Sequence, residues 1–287
     1  MEPEILKIMK VSGFTIARNA RKYQYPLLES IRSILPLCDE FIVNVGDSQD
    51  DTLELIKSLQ SPKIRIIERV WNMAQGKTVL SQETNAALAA CTGDWAVYLQ
   101  SDEVLHEADW PRLKKVMVRA LAENVDALRF RWLHFYGSYY RYRIDAGWFQ
   151  KQDRIIRNNG KMESYEDAFG FRARNGQPVL RRDSGCFLYH YGWVHSAEMM
   201  QERRRNAAKI GFAAAAPVEQ EGRYSYGDLN RFPVYFGTHP AVMEEKLAAH
   251  PLSQQDWAAI EKKYWWHPAR WLRLRYKTFR RVKTAIV

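Results

Sequence analysis

The sequence predicts an α/β fold built on a mainly parallel sheet, and three observations support this prediction. Over the first hundred residues, short apolar runs alternate with segments whose apolar residues recur at helical spacing. Such a βαβ order implies a parallel sheet with right-handed crossover connections. The second apolar run, FIVNVG at 41–46, is typical of a strand that is covered on both faces. A chain of 287 residues accommodates one large domain with an appendage.

The predicted elements follow this order along the chain. A helix over 25–35 carries Pro26 in its first turn, where proline is favoured. A helix over 51–59 starts with acidic residues, and a helix over 77–91 ends before a Thr-Gly stop. The predicted strands are 8–16, 41–46, 63–69, 95–100, 127–135, 153–157, 179–182 and 186–191. Further helices are predicted at 107–124, 196–216 and 240–249, and Ser253 to Asp256 has the spacing that opens a final helical region.

The positive charge is concentrated in the C-terminal tail, residues 262–287. The tail holds nine Lys and Arg and no acid, which leaves 34 basic and 33 acidic groups, a net charge of +1, in the preceding 261 residues. This distribution argues against a nucleic-acid-binding protein, since binding would depend on the tail alone. Apolar and basic residues fall on opposite sides of a helix over 270–286, which is typical of an interfacial helix on an anionic membrane. Packing of the same apolar face on the domain is the alternative.

Other features of the composition favour a cytoplasmic protein. The N-terminal segment lacks the basic start and long apolar stretch of a signal peptide, and no run of about 18 apolar residues occurs. Three widely spaced cysteines have no metal-type spacing, and we expect reduced thiols. We therefore expect a cytoplasmic protein, soluble or peripheral at the inner face of the membrane.

Three loops follow predicted strands, at 18–21, 46–50 and 100–103. In a parallel sheet, ligands bind at the carboxyl ends of the strands where the strand order reverses. One of these loops is basic and two are acidic, which suits a diphosphate together with a divalent cation. The acids of the third loop, Asp102 and Glu103, have a simpler alternative role as caps of the following helix.

The order and spacing of several polar residues resemble the family-2 glycosyltransferases. Ser48, Asp50 and Thr52 match the S-x-D-x-T element of that family. Asn85 on a helix and Asp102 at a strand end match its later elements. Strings similar to a bacterial subgroup span residues 11–243: YLQSDEV at 98–104, HFYGSY at 134–139, RIIRN at 154–158, SYEDA at 164–168, YHYGW at 189–193 and GTHP at 237–240.

This resemblance implies a GT-A fold with a C-terminal helical appendage. It implies a glycosyltransferase domain over residues 1–250, with a nucleotide half at 1–104 and an acceptor half at 105–250. The charge pattern adds a basic amphipathic helical tail at 251–287. The implied reaction moves a sugar from a nucleotide-sugar donor to a glycan or lipid-linked acceptor with inversion. The implied pathway is the synthesis of bacterial surface polysaccharide or glycoconjugate.

The resemblance also implies a set of site residues. The metal, Mn²⁺ or Mg²⁺, would be held by Asp102 and His190, although a lone histidine there has a structural role as its alternative. The base would be Asp167, with Glu163 and Glu166 as rivals. The nucleotide-sugar-binding residues would be Ala17, Arg18, Asn19, Asp47, Asp50, Asn85, Gln100, Ser101 and Arg154.

Two positions depart from the family pattern. Val45 stands where an acid often contacts the nucleoside, so Asn44 or Asp47 would take that role. Gln100 replaces the first acid of the D-x-D element, which leaves Asp102 as the one clear metal carboxylate. These losses leave open a catalytically weak relative that binds glycans or nucleotides. A nucleotidyltransferase is a further alternative, although residues 11–14 are poor in the glycines that its phosphate loop needs.

Overall fold

The computed structural model of the protein describes residues 9–143, 145, 148, 151–212, 223–254, 256 and 258. These residues form a mixed α/β structure around one central sheet. The strands are β1 (Val11–Ala17), β2 (Glu40–Gly46), β3 (Ile64–Arg69), β4 (Trp95–Tyr98), β5 (Glu103–Leu105), β6 (Ala127–Tyr136), β7 (Tyr142–Arg143), β8 (Lys151–Arg157), β9 (Met162–Tyr165), β10 (Gly170–Ala173) and β11 (Arg181–Trp193). The α-helices are α1 (Leu27–Ile34), α2 (Thr52–Lys57), α3 (Thr78–Ala89), α4 (Trp110–Ala122), α5 (Ala197–Lys209) and α6 (Glu244–Ala248).

The central sheet has the strand order β3-β2-β1-β4-β8-β6-β11-β5, with β7 paired to β6. Strand β1 pairs in parallel with both β2 and β4. The strand order therefore reverses at β1, because β2 and β3 are added on one side of it and β4 lies on the other. Strand β8 is antiparallel to β4 and β6, and β5 is antiparallel to β11. The remaining long strands end at one side of the sheet, which we call the carboxyl edge. It is formed by Ala17, Gly46, Arg69, Tyr98, Tyr136 and Trp193.

Alternation along the parallel strands explains the two core layers. In β2, the buried side chains of Phe41, Val43 and Val45 join one apolar cluster, while Ile42 joins the other. Helices α1 and α4 cover the first cluster, and α3 covers the second. Burial on both faces requires the nearly continuous apolar runs that the sequence shows. The predicted α/β fold with a parallel sheet is confirmed.

The later part of the sheet differs from the prediction. The two strands predicted at 179–182 and 186–191 are one strand, β11, whose register against β6 shifts between Asp183 and Phe187. Gly185 has φ +69° at this irregularity, and the interrupted pattern therefore gave two predicted strands. The three-residue β5 and the β9–β10 hairpin had no prediction.

The C-terminal elements are shorter than predicted where they are described. Helix α5 ends at Lys209, and the predicted helix at 240–249 divides into a 3-10 turn over Ala241–Met243 and α6. The side chain of Asp256 is buried and accepts a hydrogen bond from Arg141 Nε at 2.7 Å. The predicted tail helix at 270–286 lies outside the described residues. Among the helices of the described part, none has the length and apolarity to cross a bilayer.

Candidate active site at the carboxyl edge

The loops after β1 and β2 are tied to each other at the carboxyl edge. Asn19 has φ 54°, and its side chain accepts a hydrogen bond from the Gln49 amide at 2.6 Å. Asp50 accepts hydrogen bonds from the Lys22 amide at 2.7 Å and from Thr52 Oγ1 at 2.5 Å. Partial burial favours the neutral acid, but these hydrogen bonds outweigh it and lower the pKa of Asp50. The side chains of Asn19 and Asp50 thus hold the two loops together.

A cleft of about 420 Å³ opens beside this loop pair, at the ends of β2 and β3. Asp47 lines the cleft, and its carboxylate accepts hydrogen bonds from Arg18 Nε at 3.3 Å and from the Trp71 amide at 3.1 Å. Asn44 is fully buried and its amide donates to Glu83 on α3, away from the cleft. Of the two residues expected to compensate for Val45, only Asp47 therefore lines this opening.

The segment after β4 is held by backbone contacts on both sides. Gln100 Nε2 donates to the Ala168 carbonyl at 3.3 Å, and Ser101 Oγ donates to the Ile16 carbonyl at 3.1 Å. The Gln100 carbonyl accepts a hydrogen bond from Ser30 Oγ at 3.0 Å. These contacts fix the turn that carries Asp102 at the junction of β1 and β4.

Asp102 and His190 meet because β5 pairs with β11. This antiparallel pairing sets His190 opposite Glu103, and the Tyr191 amide donates to the Asp102 carbonyl at 2.8 Å. His190 Nε2 lies 3.6 Å from Asp102 Oδ2, too far for a hydrogen bond. A Cβ on Gly192 would come within 2.6 Å of Asp102 Oδ2 and 2.7 Å of His190 Cε1. Glycine at 192 is therefore needed for the two side chains to face each other.

A third group at this point is Arg203, on α5. Its Nη2 lies 3.6 Å from Asp102 Oδ2, and its Nη1 donates to the Gly192 carbonyl at 2.8 Å. The guanidinium also lies over the ring of Tyr25, 4.1 Å from the centroid. The carboxylate of Asp102 thus has the imidazole ring of His190 on one side and the guanidinium of Arg203, a permanent cation, on the other.

Burial sets the electrostatics of this cluster. Burial raises the pKa of Asp102, and the Arg203 charge opposes that shift. Burial lowers the pKa of His190 to about 4, so the imidazole is neutral at pH 7 and its contact with Asp102 is not an ion pair. A neutral imidazole retains the lone pair that a metal ligand needs.

The donor atoms of Asp102 and His190 fit a divalent cation. Their separation of 3.6 Å allows both to reach one ion at the typical distance of about 2.1 Å. His190 Nδ1 lies 3.1 Å from His134 Nδ1, a hydrogen bond that can fix the tautomer with Nε2 free of a proton. No group of three or more His, Cys, Asp or Glu with metal-site geometry occurs among the described residues. Two protein ligands with substrate phosphate oxygens and water suit Mg²⁺ or Mn²⁺ in such a place.

Arg154 lies behind this cluster. Its side chain is fully buried, and it donates to Glu103 through Nε at 2.8 Å and Nη2 at 2.9 Å. Its Nη1 donates to the carbonyls of Asp153 and Phe169, both at 3.2 Å. With four donor contacts made inside the protein, Arg154 supports the strand ends from within.

The loop that carries Asp167 is held by residues from distant parts of the chain. Asn85 on α3 exchanges two hydrogen bonds with the Ser164 backbone, at 2.7 and 2.9 Å. Ser81 Oγ donates to the Glu166 carbonyl at 2.7 Å. Glu166 and Ala168, on either side of Asp167, have φ of 51° and 60°, which is strained for residues with a Cβ. The scaffold therefore imposes this conformation on the loop.

Asp167 itself differs from its two rivals. It is partly exposed, and its carboxylate makes no hydrogen bond or ion pair with any residue of the described chain. Glu163 is paired with Arg172 at 3.0 Å, and Glu166 is exposed at the tip of the loop. Because Gln100 contacts the Ala168 carbonyl, Asp167 is one residue away from a direct link to the Asp102 turn.

The family of the chain follows from its sequence match. A family model described as glycosyl transferase family 2 matches residues 12–175, more than half of the chain. The chain is a family-2 glycosyltransferase. The matched segment contains the loop pair, the cleft, Asp102 and Asp167, and it ends before His190 and Arg203.

This glycosyltransferase also resembles solved structures of the same fold class. S. aureus TarS 1–349 in complex with UDP-GlcNAc has 16% identity and a TM-score of 0.44, with 73% of this chain and 68% of that chain covered. Glucosyl-3-phosphoglycerate synthase from Mycobacterium tuberculosis, in complex with Mn²⁺ and UDP-glucose, has 16% identity and a TM-score of 0.42, with 84% and 91% covered. The match to a longer S. aureus TarS structure covers 41% of that chain. No curated protein matches this glycosyltransferase.

The sequence did not predict two residues of this site, Arg203 and Gly192. Arg203 lies in the run Arg203-Arg204-Arg205, which gave no sign of which arginine faces inward. Gly192 is part of the YHYGW string, and its role is visible only once β5 places Asp102 beside β11. The predicted helix at 196–216 offered one signal, since a helix that follows a parallel strand begins at the carboxyl end of that strand.

Proposed function

We propose that this glycosyltransferase transfers a sugar from a nucleotide-sugar donor to an acceptor hydroxyl with inversion at the anomeric carbon. The observation that carries the proposal is the meeting of Asp102 and His190, 3.6 Å apart, at the point where the strand order switches. Family membership supports glycosyl transfer, and the cleft at the ends of β2 and β3 supports binding of the nucleotide part of the donor.

In this proposal the nucleoside lies in the cleft at the ends of β2 and β3. Asp47 contacts it in place of the acid that Val45 lacks. Arg18 lies beside Asp47, whereas Ala17 and Asn19 are buried and, with Asp50, shape the loop.

Asp102 and His190 would hold the divalent cation together with phosphate oxygens of the donor. The ion supplies positive charge that stabilises the departing diphosphate. Ser101 and Gln100 keep the Asp102 turn in place, and Arg154 positions Glu103 behind it. Arg154 thus acts in this proposal through other residues, not through contact with the donor.

Asp167 would accept the proton of the acceptor hydroxyl as the oxygen attacks the anomeric carbon. A partly exposed carboxylate that has no ion pair with a described residue is available for this role, and the strained backbone around it holds one orientation. Asn85 and Gln100 then position the loop of the base, which differs from the nucleotide contact predicted for them. The acceptor we propose is a glycan or lipid-linked glycan, in surface polysaccharide or glycoconjugate synthesis.

The proposal is tested by donor hydrolysis and transfer with a panel of nucleotide sugars in Mn²⁺ and Mg²⁺. Asp102→Asn should abolish both activities without lowering the melting temperature by more than a few degrees. Asp183→Asn is the matched control, because Asp183 lies near the start of β11, away from the carboxyl edge. Near-normal turnover of Asp102→Asn in Mn²⁺ would show that the metal assignment is wrong.

The C-terminal tail supports a peripheral location at an anionic membrane. Its nine basic residues carry nearly all of the net charge, and each Lys or Arg near an anionic bilayer contributes about 1 kcal/mol. We expect the full chain to sediment with phosphatidylserine-containing vesicles at low salt and to be partly released at high salt. A chain that ends at Glu261 should stay in the supernatant and still bind nucleotide. Failure of the full chain to sediment would leave the tail without a membrane role.

A further inference from the structure

Arg203 occupies an unusual position for an arginine on a polar helix. Its side chain is about nine-tenths buried, with 10% exposed, whereas Arg205 on the same helix is exposed. Tyr25, from the loop after β1, lies beneath the guanidinium, and Gly192 on β11 accepts its Nη1 hydrogen bond. The loop after β1, strand β11 and helix α5 itself therefore fix the position of the Arg203 charge.

The end of α5 also approaches the opposite side of the site. A Cβ on Gly76, just before α3, would meet the Ile210 carbonyl at 3.4 Å. Helix α5 therefore runs across the carboxyl edge, from Asp102 to the turn that precedes α3. A charge fixed on this helix faces the space between the loop after β1 and the turn of Asp102.

The contact between Arg203 and Asp102 is incomplete as an ion pair. Nη2 is 3.6 Å from Asp102 Oδ2, beyond hydrogen-bond distance, and no other described residue accepts a hydrogen bond from it. Arginine prefers a bidentate partner with two oxygens in its plane, which phosphate provides. The guanidinium therefore has capacity for an anion that the described residues do not supply.

The acidic residues of the site also indicate that the Arg203 guanidinium has capacity for an anion. Gln100 replaces one of the two acids of the D-x-D element, and the remaining acid, Asp102, already faces Arg203. A site with one carboxylate and one arginine carries no net charge, whereas a site with two carboxylates requires a cation before a diphosphate can approach. The loss of an acid at Gln100 and the presence of Arg203 both make the site less negative, which favours the approach of a diphosphate.

We propose that Arg203 binds the diphosphate of the donor and supplies part of the positive charge that a metal ion would otherwise supply alone. This inference rests on the proposed function, since it assumes a nucleoside diphosphate at the carboxyl edge. It follows that binding of the diphosphate depends only in part on a divalent cation. Binding of a nucleoside monophosphate, which lacks the second phosphate, does not depend on Arg203.

The test uses the full chain and the 5′-diphosphates of adenosine, guanosine, cytidine, uridine and thymidine. The tightest ligand and its monophosphate are measured by calorimetry in EDTA and in Mn²⁺, for the wild type, Arg203→Ala, Arg203→Lys and Arg205→Ala. In EDTA, Arg203→Ala should weaken diphosphate binding by about 10- to 100-fold, as expected for loss of a charge-assisted hydrogen bond. Monophosphate affinity should change by less than about 2-fold, and Arg203→Lys should recover part of the loss.

The outcomes separate this inference from the proposed function. If the wild type binds a diphosphate only in Mn²⁺, or if Arg203→Ala binds it in EDTA as well as the wild type does, the inference about Arg203 is wrong. The same conclusion follows if Arg205→Ala, the exposed control, loses as much affinity as Arg203→Ala. If the wild type binds none of the nucleotides in either EDTA or Mn²⁺, the proposed function itself is wrong. Melting temperatures of the variants show whether each is folded before binding is measured.

Discussion

Residues 9–104 and residues 105–258 contribute to the carboxyl edge in different ways. In the first region, neighbouring loops bond to each other: Asn19 to Gln49, and Asp50 to Lys22 and Thr52. In the second region, side chains extend to partners far along the chain, as Arg203 does to Asp102. The first region thus supplies a frame of bonded loops, and the second brings charged groups to it. Substitutions in the second region should therefore affect phosphate binding or chemistry more than stability, with one exception at the junction.

That exception is the buried pair of Arg154 and Glu103, which joins the two regions. Arg154→Met should lower the free energy of unfolding by about 3–5 kcal/mol, because it leaves the Glu103 carboxylate buried without its cationic partner. Urea denaturation measures the loss. The matched control Arg172→Met breaks an exposed pair with Glu163 and should cost less than about 1 kcal/mol. Equal losses for the two variants would mean that the junction is not a special element of the fold.

The next largest effect is expected at Asp167. Asp167→Asn should lower kcat by about 10²–10⁴-fold, the usual contribution of a positioned base, and leave nucleotide affinity unchanged. Steady-state transfer assays and calorimetry measure the two quantities. Glu163→Gln and Glu166→Gln are the matched controls, and a large loss in either one with a mild effect of Asp167→Asn would move the base to that residue.

Gly192 tests whether Asp102 and His190 must face each other. Gly192→Ala should lower turnover by about 10-fold or more, since its Cβ would push apart two side chains that it meets at 2.6 and 2.7 Å. Gly160→Ala is the control: its Cβ meets nothing within 4 Å, but its φ of +76° makes a side chain strained. That variant should lose stability by about 1 kcal/mol and keep its activity. Full activity of Gly192→Ala would indicate that the two residues do not act together.

The smallest effect is expected at Asn85. Asn85→Leu removes two hydrogen bonds to Ser164 and should lower kcat by about 10-fold through the Asp167 loop, while nucleotide affinity changes by less than about 2-fold. Gln82 lies on the exposed side of the same helix, so Gln82→Leu should alter neither kcat nor nucleotide affinity. A loss of nucleotide affinity in Asn85→Leu would instead favour the nucleotide contact that the sequence predicts.

The sequence predicted the first region well because its information is local. The strands and helices between residues 11 and 98 can be predicted from the spacing of the apolar residues. Ser48, Asp50 and Thr52 lie close enough together in the sequence to form a recognisable pattern. The α/β fold, the family and the enzyme class could all be predicted on this basis.

The second region could not be predicted in the same detail, because its contacts depend on a very short strand and on pairing between residues far apart in the sequence. The three-residue β5 is too short for a periodic signal, yet its pairing with β11 brings His190 to Asp102. Arg154 was expected at the diphosphate, but a charged residue in RIIRN gives no sign that it is fully buried against Glu103. Burial and long-range pairing are properties of the assembled chain, and the roles assigned to His190 and Asp167 stay predictions.

The anchored loop around Asp167 has a consequence for how this enzyme can diversify. Asn85, Ser81, Gln100 and Arg154 hold its backbone through the Ser164, Glu166, Ala168 and Phe169 carbonyls or amides, so the conformation does not depend on the outward side chains. Tyr165, Glu166 and Arg172 can therefore change without moving the carboxylate between them. A laboratory library restricted to these positions could alter which acceptor is taken while donor chemistry is retained, and natural divergence could follow the same route.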